Sequence, residues 1–456
     1  MRFSYKTDSF DLEANTLPNK QKSTRNSIGL FAAMSIGIGG MVGAGIFSIL
    51  GVVAQAAGAA MWLSFLIGGL IALLSTYSYA KLGARFPSSG GAVEFLVQGL
   101  GDGVLSGGIN IYMWVGYIIA LALYAQAFAA YFMTFLPQNS AGWLPKFIGT
   151  MVVLLFTGVN FIGPGVVGKS ETFIVAVKLL ILLLFAITGL FFIQPSYFSP
   201  THWVGPSGIL FGAGVLFIGY EGFGLVTNAA EDMDDPRKSL PIALYLSVIA
   251  VIALYLLVSV AVIGNLPVKD ILAARDYALA EAAKPFLGNL GFRLIAVGAL
   301  FSTASAVNAT LFGAANVSYM LARDGELPDV FSRTIWQGGT GGLVITSALI
   351  IIFILFFDLS GVAMMGSGAF LLIYACVNAA HLKLTSETGA NRRIIWASII
   401  ACLVMAAILG FYIYQNSKPA FVTMFVLIPV CLVAEWVYRK VSGRTIKPQT
   451  KLRKIS

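Results

Sequence analysis

Charge is scarce in this chain of 456 residues: Asp, Glu, Lys and Arg together make up 11%. A water-soluble domain carries about 25%. With so little charge the chain cannot clothe the surface of a soluble globular fold, and disordered and fibrous classes fail on composition as well. Histidine occurs twice and cysteine three times. His202 and His381 are far apart and have no partner motif, so no metal site and no cofactor is expected. Cys376, Cys402 and Cys431 all lie inside apolar stretches, which argues against a disulfide framework. The chain lacks a Gly-rich phosphate-binding loop and has no nucleophile–base pair within its apolar stretches, which excludes a nucleotide-driven pump and an intramembrane enzyme. The first 27 residues have no apolar core or small-residue cleavage site and read as a polar tail, not a signal peptide.

What is present is apolar. Hydrophobic residues reach 58%, and the mean hydropathy is +0.86. They come in continuous runs without alternation, which points to membrane-spanning helices and excludes a transmembrane β-barrel. Twelve runs are long enough, beginning near Ser27, Met61, Leu105, Leu144, Ser170, Gly208, Leu240, Gly291, Gly342, Val362, Ile394 and Phe421. Breakers separate them: Pro87 to Gly91, Gly163-Pro164-Gly165, Pro236 with Pro241, and Pro328. The formal net charge of +9 is no nucleic-acid footprint, because the basic residues gather in alternate connecting segments. Only Lys146, Lys269, Arg275, Lys284, Arg293 and Lys418 fall in the other set, and Lys178 lies within a run. This asymmetry places both termini in the cytoplasm. The expected organisation is a tail over 1–26, a transmembrane domain over 27–439 and a tail over 440–456. Within the long segment from Asn265 to Gly288, a surface helix over Asp276–Phe286 is expected to act as a partial lid. Glu94 and Asp102 are expected on a short interfacial helix before the third span.

Two spans carry irregular chemistry. In the first, Gly37, Gly39, Gly40, Gly43 and Gly45 fall within nine positions. Each glycine costs a helix interior about 1 kcal/mol relative to alanine, so the helix is expected to break. The alternative is a close-packing seam of small residues. Unwound backbone at membrane depth survives only where it is buried in protein or lines a watery cavity, and its N–H groups suit a carboxylate. The sixth span reads Phe217-Ile218-Gly219-Tyr220-Glu221-Gly222-Phe223-Gly224, again interrupted. Two interrupted spans five helices apart point to a secondary transporter built from inverted repeats.

These residues carry a resemblance. Gly43-Ala44-Gly45-Ile46-Phe47 is similar to the first-span signature of the amino acid–polyamine–organocation (APC) permeases, with Ala44 in place of the usual Ser or Thr. Phe217 to Phe223, the loop Ala230 to Pro241, Pro87 to Gly91 and Ala322 to Pro328 resemble further signatures of the same superfamily, in order along nearly the whole chain. The resemblance implies an all-α polytopic protein with five-plus-five inverted repeats, the leucine-transporter fold, two additional C-terminal helices, and alternating access. It implies that a small amine-bearing substrate places its carboxylate at the N–H groups of Val42, Gly43, Ala44 and Gly45. Its ammonium would meet carbonyls of Ile38, Met41, Phe217, Ile218 and Tyr220, around Gly219. The missing hydroxyl at Ala44 removes one carboxylate contact.

Lys178 and Glu221 are the ionisable residues within spans. A charged lysine at the bilayer centre costs about 2.5–3.5 kcal/mol on insertion scales, so a function is expected. The alternative is a lysine that snorkels to the interface. By the resemblance, Lys178 occupies the place where sodium-coupled relatives hold an ion, near first-span carbonyls at Gly37 and hydroxyls of Ser302 and Ser305. Glu221 either takes part in proton coupling, faces a cationic substrate, or caps the broken helix. Tyr220, Phe223, Trp114 and Tyr117 either shape the side-chain pocket or pack. The loop bearing Glu231, Asp232, Asp234, Asp235, Arg237 and Lys238 reads as solvated, with a gating pair to Arg85 or Arg323 as the alternative. The resulting expectation is a proton-coupled, sodium-independent amino acid symporter in the plasma or inner membrane. An exchanger of amino acids or polyamines is second, and a channel third. Its expected partners are the small-molecule substrate, protons and the lipid bilayer; nucleic acid and an obligate protein subunit are not expected.

Overall fold

The computed structural model describes residues 28–443 except 44, 89, 138–139, 163–167, 324 and 337–338. Ala44, Ser89, Asp324, the Gly163-Pro164-Gly165 breaker and nearly all of both tails therefore lie outside the described residues. The rest is a bundle of helices. Eleven segments are long and apolar enough to cross a membrane, from Leu30–Ser48 to Lys418–Ser442. The ninth apolar run forms a shorter helix, Gly341–Phe356, of 16 residues. At about 1.5 Å per residue it spans about 24 Å, less than the hydrocarbon core. The protein is a multi-pass membrane protein.

The first span is built from α1 (Leu30–Met41), α2 (Gly45–Ser48) and α3 (Leu50–Ala57). Then come α4 (Met61–Arg85), the short α5 (Ala92–Leu100), α6 (Val104–Met133), α7 (Leu144–Ile162) and α8 (Gly168–Leu190). The sixth span begins as α9 (Pro206–Val215) and continues as a 3₁₀ helix over Leu216–Asp232. The remainder comprises α10 (Pro236–Asn265), α11 (Val268–Ala274), α12 (Ala278–Arg323), α13 (Gly341–Phe356), α14 (Leu359–Lys383), α15 (Thr385–Thr388), α16 (Arg392–Asn416) and α17 (Lys418–Ser442). Gly288 bends α12 with φ 62°, separating the loop helix from the eighth span.

Burial divides the helices. α14 and the sixth span are enclosed, whereas α7, α8 and α17 turn rows of large apolar residues outward, such as Leu154, Leu155, Leu180 and Val433. Those outward faces are the lipid-facing side of the bundle. Two short connecting helices pack on the bundle. The helix bearing Glu94 is buried along most of its length, and Gly99 lets it sit against the Ala380 carbonyl of α14. The loop helix that starts at Ala278 lies on the bundle with one face buried, through Ala278, Leu279, Ala282 and Ala283, and Lys284 and Pro285 exposed.

Candidate functional site

The glycine run does two things at once. α1 ends at Met41, the Val42 N–H closes the last α-helical bond onto the Ile38 carbonyl at 2.8 Å, and Val42 and Gly43 leave the helix. The same run is also a packing seam. A side chain on Gly222 would overlap the Gly40 carbonyl carbon and the Met41 nitrogen, and a Cβ on Gly45 would sit 2.9 Å from the Cα of Gly219. Only glycine lets two main chains approach this closely. The break and the close-packing seam, posed from the sequence as alternatives, are both features of this one segment.

The sixth span departs from expectation in another way. It is not unwound but overwound, changing from α to 3₁₀ at Val215–Leu216 and keeping that winding for 17 residues. Runs of 3₁₀ longer than three or four residues are uncommon, and a mid-helix stretch marks a hinge or strain. Ser367 of α14 is placed at the change of winding. Its hydroxyl donates to the Val215 carbonyl at 2.6 Å and accepts from the Ile218 N–H at 2.9 Å, supplying partners for main-chain groups at the joint.

Charged and polar side chains converge on the first-span break. Lys178 of α8 is 2% exposed and points inward; its Nζ donates to the Gly39 carbonyl at 2.9 Å. That is two residues beyond the expected contact at Gly37, and it excludes snorkelling. Ser302 of α12 donates to the carbonyls of Val42 and Gly43, at 3.1 and 2.6 Å. Ser305, one turn along, is half-buried. Tyr255 of α10, which sequence reasoning did not single out, donates to Met41 O at 2.6 Å and lies 3.0 Å from Gly219 O. One phenol thus joins both interrupted spans. The Met41 carbonyl, expected to hold a substrate ammonium, accepts from this phenol, as a buried hydroxyl needs an acceptor and a broken helix offers one. The Val42 N–H, expected to meet a carboxylate, is bonded to Ile38 O.

Glu221 is buried within the 3₁₀ segment. Its Oε1 accepts from the Tyr124 hydroxyl of α6 at 2.9 Å, and its main-chain carbonyl accepts from the Tyr374 hydroxyl of α14 at 2.6 Å. Among the described residues no backbone N–H donates to the carboxylate, so it does not cap the helix. Around it the rings of Tyr79, Phe223 and Tyr374 pack mutually at 5.1–5.3 Å between centroids, and Phe217 adds an edge contact to Tyr374 at 5.7 Å.

The other expected pocket residues have packing partners of their own. The Tyr220 hydroxyl donates to Phe65 O at 2.9 Å and its ring packs on Tyr255, so the side chain braces α4 and α10. Trp114 donates to Thr346 of α13 at 3.2 Å and meets Phe331 edge-on, away from the break. Tyr117 packs edge-on against Phe370. Arg85 pairs with Glu387 at 3.8 Å, not with the Glu231–Asp235 loop, and Arg323 lies over the Tyr319 ring. His381 bonds Ser78 and Thr388 at 2.9 Å each. Among the described residues no group of histidine, cysteine and carboxylate side chains is arranged to hold a metal ion.

On the face opposite Arg85 and Arg237, Arg275 takes a positive φ of 38° and lies over Gly51 of α3, where any side chain would strike its carbonyl. Its guanidinium donates to Ser360 Oγ at 2.7 Å and pairs with Asp358 at 3.4 Å, at the start of α14. These contacts fasten the loop between the seventh and eighth spans over the second half of span 1.

Comparison with known proteins agrees with this architecture. The family model described as amino acid permease matches residues 28–434. The chain is 43% identical to an uncharacterised protein of Methanocaldococcus jannaschii, over 92% of this chain and 96% of the relative. It is 34% identical to the inner membrane transport protein YbaT of Escherichia coli, over 85% and 90%. It is 28% identical to the methylthioribose transporter of Bacillus subtilis, over 71% and 72%.

Proposed function

Because the chain belongs to the amino acid permease family and is a transporter rather than an enzyme, we propose that it carries amino acids by alternating access, coupled to protons and independent of sodium. The observation that supports this reading is the Lys178 ammonium on the Gly39 carbonyl, 2.9 Å away, at the break of span 1. A fixed cation there takes the main-chain oxygens that a bound sodium ion would otherwise need. Proton loss from Lys178 breaks the charge-assisted bond to Gly39, a bond type roughly twice as strong as a neutral one, and loosens the break. Proton binding restores it.

In this reading the substrate carboxylate meets the main chain at Gly43, Ala44 and Gly45. The ammonium meets carbonyls near Ile38, Phe217, Ile218 and Tyr220. Met41 O joins the site only when Tyr255 lets go, so substrate entry is tied to parting of the two interrupted spans. The membrane is the cell's plasma or inner membrane, as the name of the Escherichia coli relative indicates for that protein. The face bearing Arg85 and Arg237 is cytoplasmic.

Proteoliposomes test this. Labelled amino acids are expected to accumulate against their gradient when the lumen is alkaline, without sodium, and a protonophore is expected to abolish accumulation. A requirement for sodium overturns the coupling. Uptake that occurs only into vesicles preloaded with amino acid or amine replaces symport with exchange. Methylthioribose serves as a competitor, since a relative is named for it; saturable flux of that sugar alone overturns the substrate class.

A further inference from the structure

The basic end of the bundle holds a cleft apart from the residues assigned to transport above. It lies between the end of α4, the start of α10 and α15, has a volume of about 490 Å³, and is lined by Lys81, Arg85, Arg237, Tyr245, Glu387 and Thr388 among others. Three cations face one carboxylate. Glu387 engages only Arg85, across 3.8 Å with both side chains more than a third exposed, and such a pair is worth little. Lys81 and Arg237 make no ion pair among the described residues. Within the lining of the cleft, basic side chains outnumber carboxylates three to one.

What borders the cleft indicates the ligand. Ile242, Leu246 and Ile249 of α10, spaced along one helical face just beyond it, are 44–50% exposed and point away from the bundle. On α4, Leu70 is similarly outward at 48%. The helices that carry the cations thus continue, beyond the cleft, into outward apolar rows that acyl chains cover in a membrane. Half-buried Tyr245 stands between the two zones, with the apolar body and polar tip typical of side chains at headgroup depth. A soluble anion would use the cations and leave the apolar flank unused; a molecule with a phosphate head and hydrocarbon tails uses both.

We infer that this cleft binds the phosphate headgroup of an anionic phospholipid, with Lys81, Arg85 and Arg237 as the phosphate ligands and the acyl chains along Ile242, Leu246 and Ile249. Basic pockets between spans on the cytoplasmic side suit such headgroups. Glu387 competes with the phosphate for Arg85, so it weakens the site.

The test is lipid retention by the detergent-purified full chain, read by native mass spectrometry and by thermal midpoint. The probes are phosphatidylglycerol, phosphatidylcholine and inorganic phosphate. Phosphatidylglycerol is expected to bind the wild type at least about fivefold more tightly than phosphatidylcholine. Each of Lys81→Gln, Arg85→Gln and Arg237→Gln is expected to weaken it by about fivefold, the worth of one basic residue at a lipid surface. Glu387→Gln is expected to tighten it. This opposite sign guards against variants that simply fold badly. Equal retention of the two lipids overturns the site, as does a triple Lys81/Arg85/Arg237 to Gln variant that binds phosphatidylglycerol like the wild type. Inorganic phosphate that raises the midpoint as much as the lipid does overturns the lipid assignment. These readouts need no substrate and no gradient, so they stand or fall apart from the transport mechanism.

Discussion

At the scale of single residues, the site is a set of buried polar side chains holding main chain that a broken helix leaves without partners. Lys178 is the one basic side chain among them, and Lys178→Ala is expected to cut concentrative uptake at least about tenfold. A hydrogen bond to a charged group is worth about 1.5–3 kcal/mol, and each 1.4 kcal/mol is a factor of ten. Uptake by that variant equal to wild type, at equal surface expression, rules out its role in coupling. Glu221 has Tyr124 as its carboxylate partner, and Glu221→Gln keeps the shape while removing the titrating proton. If the carboxylate takes part in coupling, the variant's uptake becomes flat with pH; an unchanged pH profile assigns Glu221 to packing. Lys178 and Glu221 were readable from the sequence because charge inside an apolar run stands out. Tyr255, Tyr124 and Tyr374 were not, because nothing in the chain separates a phenol that holds a carbonyl from the rest of its 17 tyrosines. Ser302 was named from resemblance and does reach the break, but it binds Val42 and Gly43.

At the scale of elements, the interruption of span 1 was readable because five glycines in nine positions oppose helix formation whatever surrounds them. Its second use, as the seam against Gly219 and Gly222, depends on which span lies opposite, and no local pattern encodes that. The winding of span 6 was hidden for a similar reason. A segment apolar on nearly every side has no stripe, so periods of 3.0 and 3.6 residues cannot be told apart. Two substitutions probe this pair. Gly222→Ala sets a methyl against the Gly40–Met41 peptide and is expected to destabilise the protein by about 1–3 kcal/mol through overpacking, seen as a lower thermal midpoint. Ser367→Ala strips partners from Val215 and Ile218 at the joint, and leaving buried main-chain groups unpaired costs about 1–3 kcal/mol. A thermal midpoint equal to wild type in Ser367→Ala means that water or another group replaces the hydroxyl.

At the scale of the whole molecule, the distribution of lysine and arginine predicts which face is which. Single cysteines at Lys146 and Arg392, in a background without Cys376, Cys402 and Cys431, are expected to label oppositely. A membrane-impermeant maleimide should reach position 146 in intact cells and position 392 only after lysis; the reverse pattern inverts the topology. The two faces are also built differently. One is latched by Arg275 onto Asp358 and Ser360, while at the other only Met233, Asp234 and Asp235 separate the end of span 6 from α10. That short link is where the winding of span 6 matters most. A 3₁₀ helix rises about 2.0 Å per residue and an α-helix about 1.5 Å, so 17 residues wound this way reach about 8 Å further than the same residues as α-helix. Were residues of span 6 to relax to the wider coil, each would shorten the span by about 0.5 Å and draw the acidic Glu231–Asp235 turn inward along its axis without any tilt of the rod itself.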